Sequence, residues 1–75
     1  MSYEVLILPG AVRALRKLPP DAKRRVQAVI ELLSSNPRPP AATKLTARPE
    51  WRVRAGDHRV IYQIQDDVLV VVVVT

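Results

Sequence analysis

The apolar positions of this chain change period twice. Tyr3 to Leu8, "YEVLIL", is a short and nearly continuous apolar run, which predicts a well-buried strand. Pro9-Gly10 is expected to end it. In "AVRALRKL", Ala11, Val12, Leu15 and Leu18 share one helical face, with Arg13, Arg16 and Lys17 elsewhere. Pro19-Pro20 then breaks the chain, and Asp21 supports a second helix starting near Pro20. Ala22, Val26, Val29, Ile30 and Leu33 recur along it at helical spacing, opposite Lys23, Arg24, Gln27, Glu31 and Ser34. So short a break predicts a helix hairpin.

The stretch "SSNPRPPAAT" carries three prolines, each lacking a backbone donor, and is expected to be an irregular link. From Glu50 the period becomes two, giving strand, turn, strand, turn, strand, with turns at Gly56-Asp57 and Asp66-Asp67. The order β-α-α-β-β-β predicts an α+β fold. In it a single antiparallel-rich sheet carries both helices on one face.

A two-residue turn at Gly56-Asp57 fixes a register. Arg54 then faces Arg59, Val53 faces Val60, Arg52 faces Ile61 and Trp51 faces Tyr62. Because side chains alternate between faces, Trp51, Val53, Val60, Tyr62 and Ile64 form a core face, with Trp51 expected as its main anchor. Arg52, Arg54, Arg59, Ile61 and Gln63 form the other. A second two-residue turn at Asp66-Asp67 pairs Gln65 with Val68, Ile64 with Leu69 and Tyr62 with Val71. Leu69, Val71 and Val73 then join the core face, and Val70, Val72 and Val74 the arginine face. A strand apolar on both sides reads as central.

At 75 residues there is room for one domain, residues 1–75. A chain of this size buries only about 60% of its unfolded surface, and without cysteine it has no disulfide to compensate. Lack of cysteine fits a reducing cytoplasm. The N-terminus does not resemble a signal peptide, and no apolar run reaches the roughly 18 residues of a membrane span. Twelve basic against seven acidic residues give a formal charge of +5. That favours a polyanionic partner, and it also serves solubility.

Like charges facing each other across a strand pair destabilise a sheet, so Arg54 opposite Arg59 calls for an explanation. Guanidinium groups held on a rigid sheet suit phosphate oxygens, which they grip bidentately. The alternative is an ordinary solvated face. Lys44 and Arg48, in the segment before the sheet, are candidates to extend the patch. His58 and Tyr62 fall on the core side and read as structural. No metal-ligand spacing, phosphate-binding glycine loop or nucleophile motif is present, and no cofactor is expected.

"RALRKLPPDAKRRVQAVIELLSSNPRPPAATKL" followed by "WRVRAGDHRVIYQIQDDVLVVVVV" resembles the RelE/ParE superfamily of type II toxin–antitoxin toxins, nearest the RelE branch. The resemblance implies a RelB-like antitoxin as partner, with higher-order toxin–antitoxin assembly possible. It also implies action on the ribosome, where such toxins cut mRNA in the A site with the RNA 2′-hydroxyl as nucleophile. Carried over by position, Arg52, Arg54 and Arg59 match the family's catalytic basic residues; Lys44 and Arg48 are RNA-binding candidates only as extensions of the same patch, with flexible surface charge the alternative for each. Family members continue past the last strand into a segment resembling "VGHRREVY", which supplies an arginine and a tyrosine. The sequence here stops at Thr75, which implies impaired cleavage and an exposed apolar edge on "VLVVVVVT". Two other functions stay open: gyrase inhibition, as in ParE toxins, and an inert antitoxin-binding form.

Overall fold

The computed structural model describes residues 2–75. Strand β1 spans Glu4–Ile7, and helix α1 follows at Pro9–Arg16. Pro9 occupies the first helical turn, where a missing N–H breaks no intrahelical bond. The pair expected to end the strand therefore also opens the helix, two residues ahead of Ala11. Helix α2, Pro20–Ser35, begins the same way and carries Asp21 in its first turn. It continues through Ser34 and Ser35, so the irregular link is shorter than expected.

A two-residue strand that the pattern did not suggest, β2 at Thr43–Lys44, precedes β3 (Trp51–Ala55), β4 (His58–Gln65) and β5 (Val70–Val73). The five strands form one sheet in the order β1-β5-β4-β3-β2. Only β1 and β5 pair in parallel; the other three pairings are antiparallel. Strand β5 is thus central, with a partner on either side. The exposed edge expected of "VLVVVVVT" does not exist, because β1 occupies it.

The β3–β4 register is the one predicted from Gly56-Asp57, with Trp51 opposite Tyr62 and Arg54 opposite Arg59. The β4–β5 register is not. Gln65 pairs with Val70, Ile64 with Val71 and Tyr62 with Val73. The connection takes four residues, Asp66 to Leu69, and Leu69 sits at φ 56. Tight two-residue hairpin turns need positive φ at their centre, which glycine supplies and Asp66-Asp67 does not favour as strongly. The displacement is two residues, so Val71 and Val73 keep the core face, whereas Leu69 leaves the strand.

Ala11, Val26, Ile30 and Leu33 from the helices meet Val53, Val60, Tyr62, Val71 and Val73 from the sheet. Tyr62 and Leu33 are 0% exposed, while Trp51 is only half-buried, so Tyr62 rather than Trp51 is the main aromatic anchor. The Tyr62 hydroxyl donates to the Pro37 carbonyl at 2.7 Å, tying the proline link to the core. Burial pushes this phenol up to about 12.

A second tie closes the surface of the link. The Arg38 guanidinium grips both Asp66 oxygens, at 3.1 and 2.8 Å, and its carbon lies 5.5 Å from the centre of the Trp51 ring. The Tyr3 hydroxyl donates to the same carboxylate at 2.7 Å. Arg38 first, then Tyr3, hold the Asp66 carboxyl down at about 2. Among the described residues, no helix is long and apolar enough to cross a membrane.

Candidate nucleic-acid interface

The hairpin β3–β4 turns Val53, Val60 and Tyr62 toward the helices and the intervening side chains away from them. Arg52, Arg54 and Arg59 therefore share the outer face. Arg54 and Arg59 are exposed and directly opposed; Arg52 is half-buried and stands opposite Ile61. Ile61 is only 8% exposed although it lies on this outer face. Long arginine stems can cover an apolar neighbour while their heads stay in water. Among the described residues, none of the three guanidinium groups has an acidic partner; the ion pairs join Arg24 to Asp21, Arg38 to Asp66 and Arg48 to Glu50.

The structure turns Lys44 away from this trio and leaves Arg48 at its border with its charge paired. Lys44 pairs in register with Trp51, which places it on the opposite face from Arg52, and its ammonium donates to the Arg48 carbonyl at 2.9 Å. Arg48 spends its charge on Glu50, with Nε 3.1 Å from Oε1. The other Glu50 oxygen accepts from Gln63 Nε2 at 3.0 Å. Gln63 first, with Arg48 assisting, holds the Glu50 carboxyl below its ordinary value. This fixed, satisfied carboxylate borders the outer face. Extending the hairpin register by one residue beyond Trp51 would have found it, since that step sets Glu50 against Gln63.

Arg59 also marks where the outer face meets a cleft of about 110 Å³. Leu15, Leu18 and Ile30 line that cleft from the helices, with His58 and Thr75 at the sheet. His58 and Tyr62 lie on the core side of the hairpin, as the alternation predicted. The arginine face can hold anions and stabilise negative charge that develops on them. Among the described residues, no group of three or more histidine, cysteine, aspartate or glutamate side chains is placed to hold a metal ion.

Residues 5–75 match the family model described as the ParE toxin of the type II toxin–antitoxin system parDE. Solved structures of RelE toxins are similar over essentially the whole chain. The RelE–RelB complex from Pyrococcus horikoshii OT3 superposes with a TM-score of 0.89 at 31% identity, covering 100% of this chain and 92% of that one. In the RelBE2 toxin–antitoxin complex from Mycobacterium tuberculosis the values are 0.77 and 32%, covering 97% and 93%. A variant of the E. coli toxin RelE in the free state gives 0.81 and 25%, covering 97% and 79%. No curated protein sequence matches the chain.

Proposed function

The chain belongs to the ParE toxin family of type II toxin–antitoxin systems and has a RelE-like fold; from that premise we propose that its arginine face engages messenger RNA on the ribosome and promotes cleavage in the A site. The observation that carries this reading is the juxtaposition of Arg54 and Arg59 with no acidic partner among the described residues. A cost to the sheet is accepted where an incoming anion relieves it.

In the reaction, a ribose 2′-oxygen attacks the adjacent phosphorus and the 5′-oxygen of the next nucleotide leaves. The products are a 2′,3′-cyclic phosphate and a 5′-hydroxyl. The proton lost from the 2′-hydroxyl goes to solvent, and solvent protonates the leaving oxygen. Negative charge on the non-bridging oxygens peaks in the transition state. Guanidinium groups already held on a rigid hairpin stabilise that charge without reorganising. In this reading Arg54 and Arg59 take this role, and Arg52 orients the strand at their side. Tyr62 is unsuited to proton transfer here, since it is buried and its hydroxyl is committed to Pro37. A RelB-type antitoxin is the expected neutralising partner, because the P. horikoshii and M. tuberculosis relatives were crystallised as toxin–antitoxin complexes.

The test is primer extension on mRNA in programmed ribosomes, with the protein and with Arg59→Ala. Cuts within the A-site codon that disappear in the variant support the reading, and an uncut message in the presence of folded protein rejects it. A second reading, inhibition of DNA gyrase, draws on the family match itself, which is to ParE toxins. Gyrase-dependent DNA breaks with intact message would favour it.

A further inference from the structure

The charge of the chain is not spread evenly. Between Arg13 and Arg25 lie six basic residues, Arg13, Arg16, Lys17, Lys23, Arg24 and Arg25, and a single acid, Asp21. This corner alone carries the +5 of the whole chain; elsewhere six basic residues balance six acidic ones. Three residues separate the end of α1 at Arg16 from the start of α2 at Pro20, so both sets of cations gather at one corner. All are exposed except Lys23, which is half-buried.

The two helices differ in how ordinary these charges are. At the C-terminal end of α1, cations suit the helix dipole, and Arg13 and Arg16 need no further reason. Lys23, Arg24 and Arg25 lie four to six residues into α2, toward the end of the helix where the dipole gives cations no support. Among the described residues, only Arg24 of the three has an acidic partner, Asp21. Unlike the cations of α1, these three consecutive ones gain nothing from the helix that carries them.

Arg25 joins this corner to the hairpin. A Cβ placed on Gly56 would stand 3.2 Å from Arg25 Nη1, so the guanidinium lies against the turn between β3 and β4. Gly56 is two residues from Arg54. Basic side chains therefore lie on both sides of the hairpin end, with the exposed Asp57 in the turn between them.

The chemistry of the corner selects its partner. Protein interfaces are anchored by buried apolar and aromatic groups, with charge depleted at their centre. Of the large apolar residues on α1 and α2, only Leu32 is exposed, near the far end of α2. A nucleic-acid backbone needs no apolar anchor, and it gains affinity from counterions released as each phosphate is neutralised. We propose that the α1–α2 corner, centred on Lys23, Arg24 and Arg25, is a second RNA-binding surface that grips the phosphate backbone of duplex RNA, separately from the single-strand site on the sheet.

The experiment measures binding of the full chain to a blunt 20-base-pair RNA duplex across a KCl series, by fluorescence anisotropy. The helix variant Lys23→Gln/Arg24→Gln/Arg25→Gln is compared with the sheet variant Arg52→Gln/Arg54→Gln/Arg59→Gln, with folding of each checked by thermal melt. Three lost phosphate contacts should flatten the slope of log K against log salt by about 2–3 in the helix variant. The sheet variant should keep most of the slope. An unchanged slope in folded helix variant overturns the proposal. So does a helix variant that loses a poly-glutamate peptide but retains the duplex, which would assign the corner to an acidic protein. Message cleavage is read separately on the sheet variant, so the single-strand reading can fail while the corner stands, or the reverse.

Discussion

Arg54 and Arg59 face each other across the β3–β4 ladder, both exposed and, among the described residues, neither with an acid to answer it. Directly opposed like charges weaken a strand pair by roughly 0.2–1 kcal/mol. Replacing Arg59 with alanine should therefore leave the fold as stable as before or slightly more so, by up to about 1 kcal/mol in urea unfolding. In the same variant, message cleavage should fall by about 10²–10³-fold, the usual consequence of removing one group that stabilises transition-state charge. Stability and activity moving in opposite directions would separate a functional arginine from a merely tolerated one. A loss of stability with activity intact would reject that assignment.

Acid should loosen the proline link. Asp66 has its folded-state pKa depressed to about 2, against about 3.9 for an unperturbed aspartate. Its contribution is therefore complete above the unfolded value and disappears as pH falls from about 4 through about 2. Glu50, also depressed, acts in the same direction. Thermal melts of Asp66→Asn should start lower than the parent at neutral pH and converge with it toward pH 2. A constant gap across that window would show that the carboxylate charge is not what holds Arg38 and Tyr3.

Tyr62→Phe removes one oxygen from a fully buried ring and strands the Pro37 carbonyl it bonds. A buried acceptor left without its donor costs about 1–3 kcal/mol, which is large for so small a chain. Urea unfolding should register that loss. An alkaline titration followed by tyrosinate absorbance should show the parent's Tyr62 ionising near pH 12. Because this pKa is raised by burial, the associated stability persists below about pH 10 and declines as pH climbs toward 12.

Gly56 turns the hairpin at φ +64, a conformation that costs a residue with a Cβ about 1–2 kcal/mol. In Gly56→Ala the new methyl would also stand 3.2 Å from Arg25 Nη1 and push the guanidinium aside. The variant should melt at lower temperature, and Arg25→Ala combined with it should recover part of the loss. Equal loss in the single and double variants would leave backbone strain as the whole effect.

Local chemistry alone determined much of this protein. The helix faces, the period-two strands and the Gly56-Asp57 turn are all written in neighbouring residues, and the turn locked the register that brings Arg54 to Arg59. From that register the arginine face followed without coordinates, since alternation is a property of any strand. What lacked a local signal came out differently. Without glycine at Asp66-Asp67 the second hairpin took a wider turn, which moved its register by two residues. The two apolar faces of β5 mark it as a central strand but do not name its neighbours, and it pairs in parallel with β1, some 66 positions away in Glu4↔Val70. Arg38, read only as part of a link, found Asp66 and Trp51 there; Lys44 was carried to the opposite face from the arginines it seemed to adjoin. Periodicity and turn residues act over a few bonds and are legible in order along the chain. Strand order and the meeting of distant side chains depend on which surfaces must be buried together, and only the assembled core decides that.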